Sequence, residues 1–141
     1  MAIETFVDTS GFFALLASDD PAHEAAVGVL REGERGRRRF VTTDYVLDEA
    51  ATLLSARRKR HLARALLHAT LHGGACRIEW TDAERFHRAA DFFERHSDQP
   101  WSFTDCLSFL VMRQHRIRDA LTRDDDFRKA GFTPLLGTSG A

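Results

Sequence analysis

A chain of 141 residues, 43% hydrophobic and 29% charged, can bury one hydrophobic core without disulfides or a structural metal. Its formal net charge of −1 excludes a global field that draws in nucleic acid. Cys76 and Cys106 lack the CxxC spacing of a zinc site, Glu4 and Asp8 interrupt any signal peptide, and no apolar run approaches the ~20 residues of a membrane span. The expectation is a cytoplasmic protein with a single domain over 1–141.

The elements alternate along the chain. IETFV (3–7) reads as a strand and GFFALLAS (11–18) as a short helix, with Asp8, Thr9 or Ser10 as its N-cap. PAHEAAVGVLREGE (21–34) is a helix entered through proline. RFVTT (39–43) is a second strand. DYVLDEAATLLSARR (44–58) and RHLARALLHATLH (60–72) are helices, the latter stopped by Gly73 and Gly74. CRIEW (76–80) is a third strand. TDAERFHRAADFFERH (81–96) opens with a capping-box spacing from Thr81 to Glu84. TDCLSFLVMRQH (104–115) is a helix, DAL (119–121) a strand, DDFRKAG a turn or short helix, and TPLL (133–136) a last short strand. Strands separated by helices imply a three-layer α/β/α domain with a mostly parallel central sheet. Sites in such sheets lie beyond the carboxyl ends of the strands.

Four carboxylates fall there. Asp8 follows the first strand directly, where it also suits an N-cap. Glu49 sits on the stripe of Tyr45, Val46, Leu53 and Leu54, while Asp48 joins Asp44, Thr52 and Ser55 on the polar face. A carboxylate on the core side of a helix is costly unless paired or bound to metal. Asp105 lies in a first helical turn, where the helix dipole favours negative charge. Asp124 follows the strand at 119–121. Each position has an ordinary structural explanation: a cap, an arginine pair or a solvated acidic turn. No paired lysine or histidine accompanies the group, and converging carboxylates of this kind suit a hard divalent cation. Such a centre activates water and neutralises charge on a phosphate.

Other chemistries find little support. The histidines show no HExxH spacing, and His23, His61, His68, His87 and His96 lie in helices where a solvated face explains them. No GxGxxG or GxxxxGK[ST] occurs, and Ser10 and Ser108 lack a GxSxG context. Trp101, in a loop before Asp105, is a candidate to touch a base. Two basic clusters, Arg31 to Arg39 and Arg57 to Arg64, are candidates for a rim that holds a nucleic-acid backbone.

FVDTSGFFALL (6–16), TTDYVLDEA (42–50), WSFTDCLSFLVM (101–112) and ALTRDDDF (120–127) resemble, in order and spacing, the motifs of the PIN-domain nucleases, and most of all the VapC-type toxins of toxin–antitoxin pairs. The resemblance implies a PIN-like domain whose acidic quartet is Asp8, Glu49, Asp105 and Asp124. Asp124 is selected because Thr122, Asp124 and Phe127 fill the family's T-x-D-x-x-F pattern, and Asp126 matches a position that assists metal binding in some members. Thr9, Ser10, Thr104 and Thr122 match hydroxyls that flank the carboxylates. The implied activity is a Mg²⁺- or Mn²⁺-dependent endoribonuclease leaving 5′-phosphate and 3′-hydroxyl ends. The implied partners are RNA, a cognate VapB-type antitoxin and a second copy of the chain, with no membrane. The alternatives are a housekeeping RNA-processing nuclease and a binding module that does not cleave.

Overall fold

The computed structural model describes residues 1–137. In chain order they form β1 (Ile3–Val7), α1 (Thr9–Leu16), α2 (His23–Glu34), β2 (Arg38–Thr43), α3 (Asp44–Ala56), α4 (Arg60–Leu71), β3 (Arg77–Glu79), α5 (Ala83–Arg95), α6 (Phe103–Gln114), β4 (Asp119–Leu121), α7 (Asp126–Lys129) and β5 (Thr133–Pro134). The five strands make one sheet in the order β3-β2-β1-β4-β5, and every pairing is parallel. Parallel neighbours need crossover connections, and the helices supply them. The order runs outward from β1 in both directions, first through β2 and β3 and then through β4 and β5. The crevice between β1 and β4, at their carboxyl ends, is therefore the topological switch point.

The central strands are apolar on both faces, as a sheet covered by helices requires. Phe6, Val7, Val41, Ala120 and Leu121 are fully buried, and Leu54, Leu107, Phe109, Met112 and Phe127 pack onto them. α1 presses hard on the end of β4. A Cβ at Gly11 would lie 2.0 Å from the Leu121 carbonyl oxygen, so only glycine allows the approach.

The opposite, amino edge of the sheet is organised by arginine. Arg38 donates to Glu32 (2.8 Å), Asp119 (2.9 Å) and Thr5 (2.9 Å). Arg77 pairs with Glu79 (3.0 Å) and Glu4. Arg35, Arg37 and Arg39 are exposed at this same edge, before or at the start of β2. A six-residue strand, roughly 17 Å at 3.3 Å per residue, separates them from the carboxyl edge. The expected basic rim does not include them.

Three further expectations change. The cap of α5 is Asp82, which accepts the Arg85 N–H (2.8 Å), because the Thr81 hydroxyl is spent on Asp44 (2.7 Å). α2 begins two residues after Pro21, because Asp20 accepts the Ala22 N–H (2.8 Å) and holds the entry as a turn. Trp101 is 7% exposed, edge-on to Phe109 (5.0 Å) and stacked on Phe92 (6.4 Å), so it belongs to the core and meets no base. No helix among the described residues is long and apolar enough to cross a membrane.

Candidate metal centre

A cavity of about 180 Å³ opens at the switch point. Its walls include Asp8, Glu49, Asp105 and Asp124, the hydroxyls of Thr9, Ser10, Thr104 and Ser108, and the apolar Val46 and Leu53. Among the described residues, no basic one lines it.

Asp8 is fixed on every side. Its Oδ1 accepts the Gly11 N–H (2.8 Å) and the Ser10 hydroxyl (2.8 Å), and its Oδ2 accepts the Thr122 hydroxyl (2.7 Å). It therefore serves as the N-cap of α1 and as a wall of the cavity at once. Burial pushes its pKa up from 3.8 to about 7; the three hydrogen bonds oppose the shift and the Asp124 charge adds to it.

Asp105 likewise closes a capping box with Ser102 at the start of α6, with bonds of 3.0 and 3.2 Å. Burial raises its pKa to about 6; the bonds to Ser102 oppose this, and Asp124 and Glu49 push it further up.

The loop after β4 supplies Asp124 and Asp126. The Thr122 hydroxyl accepts the Asp124 N–H (2.9 Å), and the Asp124 carboxylate accepts the Asp126 N–H (2.9 Å). Carboxylate oxygens of Asp105, Asp124 and Asp126 all lie within 4.8 Å of one another. Asp126 is held above the usual carboxylate range, first by burial and then by the Asp124 charge. Asp125 instead accepts from Arg128 (2.9 Å).

Glu49 reaches the cavity from α3, but it is exposed. The buried face of α3 is Val46, Leu47, Ala50 and Leu54, one position round from the expected stripe. Glu49 stands at the mouth of the cavity, and among the described residues it makes no ion pair with an arginine. The burial cost assigned to it does not apply.

The donor set is oxygen only, with three carboxylates close enough to share one ion, and the Lys129 charge only partly offsets the burial and acidic neighbours of Asp126. That composition fits a hard divalent cation and does not fit an ion that prefers sulfur or imidazole.

Sequence reasoning missed Ser108 and Arg123. Ser108 lies three residues after Asp105 and four after Thr104, a helical spacing that puts all three on one face of α6. Arg123, inside the acidic loop, reaches away from the cavity to Asp20 (3.3 and 3.4 Å), while its N–H donates to Ser10 (2.9 Å). That tie is not visible in sequence, because Asp20 lies about a hundred residues earlier.

The PIN domain family matches residues 5–133. The chain is 35% identical over 130 residues to the 23S rRNA-specific endonuclease VapC20 of Mycobacterium tuberculosis, covering 92% of this chain and 96% of that protein. The crystal structure of VapC20, described as a sarcin-ricin loop cleaving toxin, superposes with a TM-score of 0.82 at 32% identity, covering 94% of this chain and 98% of that one. Two more distant structures share the fold. PAE2754 from Pyrobaculum aerophilum has a TM-score of 0.60 at 19% identity, covering 100% of this chain and 90% of that one. FitAcB from Neisseria gonorrhoeae has a TM-score of 0.62 at 16% identity, covering 92% and 95%.

Proposed function

The chain belongs to the PIN-domain family, and from that premise we propose that it is a metal-dependent endoribonuclease acting as the toxin of a VapBC-type pair. The observation that carries this reading is the convergence of Asp8, Glu49, Asp105 and Asp124 on one cavity that, among the described residues, no cationic side chain lines. Asp105, Asp124 and Asp126 would hold the ion, and Mg²⁺ or Mn²⁺ suits their all-oxygen donor set. A bound ion supplies charge for the phosphate and activation for the attacking water.

The chain's own residues do the rest. Thr122, Ser10 and the Gly11 N–H lock Asp8 in one orientation. Glu49, at the mouth, is placed to meet the substrate side of the centre. Arg57 lies at the C-cap of α3, one turn beyond the cavity-lining Leu53 and 5.6 Å from the Phe13 ring centroid, and is the cation we assign to an RNA phosphate. Ribosomal RNA is the first substrate to test, by likeness to VapC20. The partners are a VapB-type antitoxin and a second copy of the chain, and the place of action is the cytoplasm. The exposed rings of Phe86 and Phe93, both 43% accessible, supply an apolar face for the second copy.

The test is RNA cleavage by the purified chain. EDTA should abolish it, and Mg²⁺ or Mn²⁺ should restore it. Cleavage that persists undiminished in EDTA would refute the mechanism.

A further inference from the structure

Helix α4 has two unlike faces. Ala63, Leu66 and Thr70 are buried against the body of the protein. His61, Arg64, His68, Leu71 and His72 are exposed and line an open depression on the outer side.

Within that face, His68 and His72 are four residues apart and stand one above the other on successive turns. His72 is the C-cap, and its N–H still reaches the His68 carbonyl (3.0 Å), so helical register persists through it. The two ring centroids are 5.5 Å apart. A metal bound to an imidazole nitrogen at about 2.1 Å stands roughly 3.2 Å from the ring centre. Two such rings at a tetrahedral angle have centres about 5.2 Å apart. The observed centroid separation of 5.5 Å is close to that value. The imidazoles that hydrogen-bond among the described residues are those of His23, His96 and His115, so the His68 and His72 nitrogens are uncommitted there.

The donors on this face are nitrogen, with no carboxylate among the lining residues. This is the reverse of the carboxylate cavity. It selects against Mg²⁺ and Ca²⁺ and favours first-row ions that bind imidazole. Arg64, one turn before His68, adds a like charge that tempers affinity. His61 lies about 10 Å along the helix from His68, too far to complete the set.

We propose that His68 and His72 form a two-nitrogen site on α4 for Ni²⁺, Cu²⁺ or Zn²⁺, separate from the oxygen centre, with its remaining coordination positions open to water. An ion there bridges the last turn of α4 before Gly73.

The experiment is calorimetric titration of the whole chain, freed of any affinity tag, with Ni²⁺ in excess Mg²⁺. One Ni²⁺ site is expected. His68→Ala and His72→Ala should each weaken it about tenfold or more, because one of two ligands is lost. His61→Ala and Asp105→Asn should leave it unchanged. Ni²⁺ should also raise the unfolding temperature of the parent chain and not that of His72→Ala. The proposal is overturned if binding is undiminished in both histidine variants. It is equally overturned if binding disappears in Asp105→Asn or under excess Mg²⁺, which would assign the ion to the carboxylates.

Discussion

Asp8 caps a helix and faces the cavity with the same carboxylate, and the two duties respond differently to substitution. Asp8→Asn keeps an oxygen for the Gly11 N–H but removes the charge; Asp8→Ala removes both. The raised pKa gives a further handle. A carboxyl whose folded-state value is about 7 and whose ordinary value is 3.8 binds its proton more tightly in the folded protein. Without metal, acid therefore favours folding, and the advantage is lost as pH rises from about 4 through 7, by at most about 4 kcal/mol for this group. Asp105, raised to about 6, acts in the same direction. In EDTA the unfolding temperature should fall between about pH 5 and pH 8. The fall should shrink with excess Mn²⁺ and flatten in Asp8→Asn; an unchanged slope in that variant would remove Asp8 as its source. Glu49 and Asp48 make the complementary pair, adjacent and both exposed. Glu49→Gln should lower cleavage by orders of magnitude yet change stability by no more than about 0.5 kcal/mol, and Asp48→Asn should change neither. A dead Asp48→Asn enzyme would mean that the wrong face of α3 had been assigned.

At the level of elements, the first turn of α1 is the tightest joint. With 2.0 Å available, Gly11→Ala must push α1 away from β4 and carry Asp8 from Thr122. The expected cost is about 1–3 kcal/mol in stability. Cleavage should fall on the order of a hundredfold, since a shift of about 1 Å at a reacting centre has that effect. Thermal unfolding and cleavage rate check both, and a fully active Gly11→Ala protein would show that the joint is slack. Sequence reading found every element here, because helical and strand periodicities are distinct and turn residues separate the consecutive helices. It placed the ends less well. The α5 cap went to Thr81 when Asp82 holds it, because a hydroxyl's choice between its own helix and a distant Asp44 is a tertiary matter. The tightness at Gly11 has no local signal, since nothing in the neighbouring sequence reveals a carbonyl approaching from residue 121.

Across the whole molecule, three of the four acids could be proposed from position alone, because Asp8 and Asp124 follow strands and Asp105 opens a helix at one edge of the sheet; Glu49, in the middle of α3, rested on a stripe one position off and on the family resemblance. Which arginines share that edge could not be read, since charge clusters carry no direction. The structure puts Arg37 and Arg39 at the far, amino edge, and Arg57 at the C-cap of α3, one turn beyond the cavity-lining Leu53. Arg57→Ala should weaken RNA binding and reduce its salt slope by about one, whereas Arg37→Ala with Arg39→Ala should alter neither. Binding titrations over a range of salt decide it, and a reversed outcome would relocate the RNA path. The bond from Thr122 to Asp8 has a consequence for synthesis. Its two ends are 114 residues apart, one near the start of the chain and one near the end. The cavity cannot exist on a partial chain, however well its first helices have folded. A growing polypeptide of this kind carries no complete carboxylate cavity until the strand at 119–121 and the aspartates behind it have emerged, so the site is among the last parts of the molecule to be assembled.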